Sequence, residues 1–405
     1  MSTWNELADK MLAADGPAAL VCRQWLMPAE GRDAVIFPPT FAAPEGGGKD
    51  GYKIDADLGS ATLKVESRRE NSGKAGYNID EVRDANDPNK VTRIAIIDTV
   101  GSQANRMEPL FKKVNGEDTP YSRLVPQIEI KAGNKIVNLL DAGHRAADAI
   151  VRYSSLGPTL KEAFNAYQES GDATELAKIA PTSLVFGAWD SRGTQAKLPR
   201  IVASTIRAYD ITELQRSAQY FPPIDYVKEE LFDDEFLETT TKGGKKIGSA
   251  FGLKAAPAEG THGGVIVRGE IRREAILNLV CLRAIGPKGQ TGDALRRYIL
   301  GLALVAISYD RPHDLRQGCL LVKDPDRPSR WEVVFNDGSR QEVAPDGSAL
   351  LAFAQKAADD FGERKSGRYE FLDPDRARAE VEKEMEEKGS KKGKSRKGKN
   401  GDSNQ

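Results

Sequence analysis

The sequence predicts an α+β protein with insertions, and three observations carry that expectation. Strand-like and helix-like segments alternate without the regular βαβ units of a doubly wound sheet. Hydrophobic residues make up 39% of the 405, enough to bury a core. A polar stretch at about 212–263, marked by Pro222-Pro223 and Gly243-Gly244, breaks the apolar pattern and reads as an excursion from the core. The length fits two or three domain-sized units, or one core with large insertions.

Trp4, Leu7, Ala8, Met11 and Leu12 recur at helical spacing, with Thr3 placed to cap the helix. Ala18 to Met27 is strand-like and stops at Pro28. Pro38-Pro39 and Gly46-Gly47-Gly48 mark a loop, and the charge-mixed residues 66–90 read as loop or insertion. Val91 to Val100 reads as a buried strand, after which Gly101-Ser102 opens a helix to about Lys113. A glycine-turned hairpin is expected over 128–137, a helix over about 141–155 and another from Pro158. Asp172-Ala-Thr-Glu175 has the form of a capping box, while Ser183 to Trp189 and Ile201 to Tyr209 read as strands. Beyond the excursion, Val265 to Val267 and Ala275 to Leu282 resume strand composition, and Ala294 to Ser308 is the most apolar helix. Gly318 to Val322 is a short strand, and Trp331 to Val343 a hairpin turned by Asn336-Asp337-Gly338. Ala349 to Phe361 and Asp375 to Lys388 read as an amphipathic and a polar helix.

The chain carries 59 Lys+Arg against 60 Asp+Glu, so its net charge is -1. That total hides a division: residues 376–405 hold ten basic and six acidic groups, which leaves a net of -5 on residues 1–375. Lys388 to Lys399 has seven basic residues in twelve and no apolar one, the composition of a disordered, Lys-rich tail. Cys22, Cys281 and Cys319 are too few and too scattered for a disulfide scaffold and point to a reducing cytoplasm. No apolar run is long enough to span a bilayer, and the first residues lack the form of a secretory signal, so no membrane partner is expected.

Enzyme signatures are absent. There is no Cys-x-x-Cys, no phosphate-cradling Gly-x₄-Gly-Lys-Ser/Thr loop and no Gly-x-Ser-x-Gly elbow. His144, His262 and His313 belong to no close ligand pair, so neither a metal nor another cofactor is expected. Asp98 ends a buried strand, where it serves either as a catalytic acid or as a cap for the next turn.

What stands out is arginine and glycine at element boundaries. Ser102, Gln103, Asn105 and Arg106 open a helix directly after a strand, where backbone N–H groups and a guanidinium fork suit a phosphate. His144-Arg145, the loop with Arg192 and Lys197, Arg268-Gly-Glu-Ile-Arg272-Arg273, and Arg316-Gln317 repeat the theme. Each has a structural reading: a helix cap, a His144–Asp148 pair, an ordinary surface loop, or ion pairs around Glu270. Together they suggest an extended anionic partner, read at its backbone.

These segments resemble the RAMP-superfamily backbone subunit of type I CRISPR Cascade, in the subtype called U or G. The resemblance runs through Phe37-Pro-Pro-Thr-Phe41, Ile97 to Glu108, His144 to Arg152, Pro181 to Ser191, Val267 to Arg273, Leu295 to Val305 and Leu315 to Cys319. It implies a modified RRM/ferredoxin-like palm over residues 1–375, with a finger insertion at about 110–180 and a thumb-like one at about 212–263. It also implies copies of the chain polymerised in a helical backbone along one crRNA, beside other Cascade subunits, with target DNA engaged through the guide. The segment from Ser102 to Arg106 resembles the helix start by which wider-family members contact guide RNA. Arg268-Gly269-Glu270 lacks the aromatics with which an ordinary RRM stacks bases. A guide scaffold should instead hold the backbone and leave base edges free for pairing.

The expected function is therefore a non-catalytic CRISPR RNA-binding subunit in antiviral defence. Its candidate contacts are Ser102, Gln103, Asn105, Arg106, His144, Arg145, Arg192, Lys197, Arg268, Arg272, Arg273, Arg316 and Gln317. The enzymatic alternative is a metal-dependent RNase backbone subunit that cuts guide-paired RNA with Asp98, Asp148 or Asp190. A protein-only scaffold, its arginines pairing with neighbouring subunits, is the third possibility.

Overall fold

The computed structural model describes residues 4–41, 53–58, 61–66, 76–84, 87 and 90–383. The expected Thr3 cap, the Gly46–Gly48 loop and the basic run from Lys388 lie outside the described residues.

The strands β1 (Ala19–Pro28), β2 (Ile79–Arg83), β3 (Val91–Asp98), β4 (Val202–Tyr209), β5 (Ile271–Asn278), β6 (His313–Arg316) and β7 (Cys319–Lys323) build one antiparallel sheet. Its order is β6-β7-β1-β5-β4-β3-β2. A hairpin, β8 (Arg330–Val334) and β9 (Arg340–Val343), pairs with the first half of β1, while β7 pairs with its end. Across the sheet, β7-β1-β5-β4 are therefore the fourth, first, third and second of these four strands in chain order. The period-two pattern of β1 buries Leu20, Cys22, Gln24 and Leu26 on one face. Val202, Ala275 and Leu277 share that face, and they join Leu20 and Cys22 in a core with the helices α1 (Trp4–Leu12), α2 (Val100–Met107), α3 (Gly157–Ser170), α4 (Gln290–Ser308) and α5 (Gly347–Phe361). α4 crosses α5 at Gly301, where a Cβ would lie 2.9 Å from Ala354 Cα, so only glycine permits the approach. The other sheet face carries a charge-compensated ladder, with Arg23 3.2 Å from both Glu274 and Glu332.

Several expected elements differ. Ser183 to Trp189 is not a strand: Pro181–Phe186 is a helix, which Gly187 ends at φ +78°, and only Ala188–Trp189 is extended. A short, wholly apolar run fits a buried helix as well as a buried strand, and Pro181 in the first turn favours the helix. The helix expected over 141–155 breaks into a 3₁₀ turn at Arg145–Ala147 and a short helix at Ala149–Arg152, because Asp148 caps Ile150 N–H from outside the helix. The strand-like run Ala275 to Leu282 splits at Asn278, whose side chain accepts from Cys281 N–H and starts a helical turn. The expected loop 66–90 supplies the edge strand β2. Gly367–Glu370 pairs in parallel with Ile128–Ala132, a strand absent from the expectation.

The excursion at 212–263 is a long antiparallel ribbon, Ile211–Tyr220 against Ala256–Val267, capped by the short helices Asp234–Glu238 and Ile247–Ala250. It continues the β4–β5 hairpin through a corner at Asp210, where φ is +55° and the carbonyl accepts from Arg268 N–H at 2.8 Å. Residues 374–383 are helical, in line with the polar helix expected there.

Candidate nucleic-acid interface

β3 delivers Asp98 to the mouth of α2, 1% exposed. Its carboxylate accepts from Gln103 Nε2 at 2.6 Å and Arg106 Nε at 3.1 Å, and Arg316 Nη2 stands 3.8 Å away. Thr99 caps α2, its hydroxyl accepting from Ser102 N–H at 3.2 Å. Arg106 also donates to the carbonyls of Asp314 and Leu315, and Arg316 to those of Phe37 and Ile97. The helix start and the Arg316-Gln317 turn, two of the five sequence clusters, are thus one assembly with Asp98 as hub. Gln317 is exposed at its rim.

Deeper in, Gln103 Oε1 accepts from Ser204 Oγ at 3.0 Å and from Arg273 Nε at 3.3 Å. Arg273 is buried, and its guanidinium also donates to the Ile307 carbonyl and the Met107 sulfur. The burial follows from strand parity: Arg273 shares the inner face of β5 with Ile271 and Ala275, while Arg272 points to the outer face.

Arg145 is a clamp. It is 6% exposed, sits at φ +54°, and donates to Glu108 at 2.7 Å, to Asn105 Oδ1 at 3.2 Å and to the Gly187 carbonyl at 3.2 Å. A strained backbone is retained where surrounding contacts over-determine it. These contacts tie α2, the 144–147 turn and the strand that follows Gly187 into one unit. Burial pushes the Glu108 carboxyl up to about 7, against the pull of Arg145.

Beyond Gly187, Ala188–Trp189 pairs with Lys197–Leu198. The loop between them hangs on the buried Asp190, which accepts from Thr194 N–H at 2.7 Å and Thr194 Oγ1 at 2.9 Å and pairs with Arg152. Arg192 and Lys197 are exposed on this hairpin. Lys197 Nζ lies 4.7 Å from the centroid of the Trp189 ring, and Trp189 is 55% exposed. His144, with 83% of its side chain exposed, stands next to Arg145.

The structure therefore joins the exposed Asn105, His144, Arg192 and Lys197 through Arg145 near the C-terminal end of α2, with Ser102, Arg106 and Gln317 around the Asp98 hub toward its N-terminal end. Gln103, Arg145 and Arg273 are buried and bonded within the chain, so this surface is built without them. That corrects their expected place among the contacts, since a phosphate cannot reach an enclosed guanidinium that already has its partners. Arg268 and Arg272 lie apart. Arg268 is exposed at the ribbon corner and donates to Thr212 Oγ1 at 3.2 Å. Arg272 is held on the outer sheet face by Glu270 at 2.7 Å and by Tyr209. Trp189 was missed among the candidates, although its signal, a tryptophan leading into a basic loop, is plain in the sequence.

One buried group ties this region to pH. Burial, with Arg273 and Arg311 nearby, pushes the His313 imidazole down to about 3. The unfolded imidazole titrates near 6.5, so between those values the unfolded chain binds a proton that the folded chain refuses. The His313 contribution is then complete above pH 6.5 and falls as the pH drops toward 3, by a few kcal/mol, on the order of 1.4 per pH unit. His313→Gln should flatten the acid limb of stability against pH in urea titrations. An unchanged limb refutes this assignment.

Asp148 is occupied as a cap and Asp98 and Asp190 by the bonds described. Among the described residues no three His, Cys, Asp or Glu side chains stand together as metal ligands would, and no helix is long and apolar enough to cross a membrane. No curated protein matches the chain. Residues 20–213, from β1 through β4 and with them the Asp98 hub, the Arg145 clamp and the Trp189 hairpin, are similar to the family described as CRISPR-associated protein GSU0053.

Proposed function

We propose that the chain is a non-catalytic CRISPR RNA-binding backbone subunit of the RAMP superfamily, of the type I-U or I-G Cascade kind. Copies of it polymerise along a guide RNA with other Cascade subunits and support pairing with target DNA in antiviral defence. The family similarity supports the CRISPR association. The observation that carries RNA binding is the connected surface of Asn105, His144, Arg192 and Lys197, residues far apart in sequence that Arg145 brings together. The four-strand order β7-β1-β5-β4 is that of a ferredoxin-like unit and supports an RRM-like palm. The ribbon from Ile211 to Val267 fits the thumb-like insertion, while a finger at residues 110–180 rests on the resemblance alone.

Amides and cations hold a strand by its phosphates and leave base edges free, as pairing with a target requires. The body outside the tail has a net charge of -5, so the attraction is confined to this surface rather than general. The carboxylates an RNase would use are engaged as a hub, a cap and a loop anchor, which favours a holding role.

Protein purified from cells carrying a CRISPR array should show the absorbance ratio of a ribonucleoprotein and release one discrete RNA of guide length. A ratio typical of bare protein, or RNA of random length, refutes the proposal. Regular Mg²⁺-dependent cuts in complementary RNA, lost in Asp190→Ala, favour the RNase instead.

A further inference from the structure

We propose that Trp189 is a stacking platform for one base of the bound single strand, so that this interface grips a base as well as the backbone. The proposal rests on the RNA-binding reading and adds a contact to the same site. Trp189 is 55% exposed, yet it is not on a floppy segment. It sits in a two-residue strand paired with Lys197–Leu198, directly before Asp190, whose side chain is fastened by Thr194 and Arg152. Gly187, at the other end of this strand, has φ +78°, and a Cβ there would meet Arg200 Cγ at 2.6 Å, so the approach to the tryptophan is rigid too. A large aromatic surface held rigidly in water retains unfavourable hydration that a flat partner removes.

The surroundings choose the partner. Lys197 lies over the ring, and Arg192, Arg200 and His144 are exposed nearby. The hairpin itself has one carboxylate, Asp190, which is buried and paired. A cation-ringed indole suits a nucleobase, whose phosphate meets the cations while its face meets the ring. A protein surface would need acidic groups around an apolar spot to match it equally well.

Two strands of equal length separate base from backbone: unstructured oligouridylate, and an abasic strand with the same phosphates. The full-length protein, stripped of co-purified nucleic acid in high salt, is titrated with each. Oligouridylate should quench tryptophan fluorescence, and the Trp189→Phe protein should lose that quench. Trp189→Ala should bind oligouridylate roughly 5- to 150-fold more weakly and the abasic strand unchanged. Equal weakening toward both strands, or a quench that survives Trp189→Phe, overturns the stacking role while RNA binding stands. Wild-type protein that binds neither strand at low salt overturns the RNA-binding reading and this proposal together. A Trp189→Ala protein with normal RNA affinity but impaired self-assembly assigns the tryptophan to a protein contact instead.

Discussion

Asp98→Ala is expected to lower stability by about 3 kcal/mol, the low end of the roughly 3–5 kcal/mol for breaking a buried ion pair. The carboxylate is 1% exposed and is the shared acceptor for Gln103 and Arg106, with Arg316 close behind. Its removal leaves two guanidiniums facing each other without the charge between them, and leaves the Gln103 amide without an acceptor. The low end applies because the Arg106 and Arg316 side chains are 32% and 24% exposed, so water screens part of the loss. Asp98→Asn keeps the shape and loses the charge, and should fall between. Urea unfolding measures both. A loss below about 1 kcal/mol, the worth of an exposed pair, contradicts the hub. The same variant separates the two roles the sequence allowed. A catalytic Asp98 would leave stability intact and abolish cleavage.

Replacing Arg192, Lys197 and Arg200 together by alanine is expected to cut single-strand RNA affinity roughly 100-fold at about 0.1 M salt, with little change in stability. All three are exposed. Each phosphate neutralised contributes about -0.7 to the log–log salt slope of a single strand, so three lost contacts flatten it by about 2. RNA binding measured by anisotropy across a salt series gives the slope directly. An unchanged slope in a folded triple variant removes these residues from the interface. Arg145→Ala should behave oppositely. Its guanidinium is enclosed among Glu108, Asn105 and Gly187, so its loss should destabilise the protein and disturb the hairpin's position. Arg106→Ala is expected to act mainly on stability too, since its donors meet Asp98 and two carbonyls.

The strands β1, β3 and β4, the Trp331–Val343 hairpin and helices α1 and α5 were legible because each has one face against a core, and burial leaves a period in the sequence, while α4, buried all round from Tyr298 to Ile307, was legible by the length of its apolar run. The ribbon Ile211–Tyr220 against Ala256–Val267 was not legible as strands. Beyond its first residues both faces are largely exposed, so no alternation survives. Pro181–Phe186 failed for the opposite reason: it is buried on every side, and a uniformly apolar run has no phase.

The sequence by itself determined that arginines and glycines gather at element ends and that no familiar catalytic motif accompanies them. It also determined that charge is divided between an acidic body and a basic tail. Only the tertiary structure decided which arginines face solvent. Arg272 and Arg273 are neighbours, yet one lies on the outer sheet face and the other in the core, because successive strand residues point to opposite sides. Arg145 and Arg192 look alike in sequence, but Glu108 and Gly187 enclose the first while Asp190 holds the loop that displays the second. A guanidinium's role depends on what meets it from distant parts of the chain, and local sequence does not contain those partners.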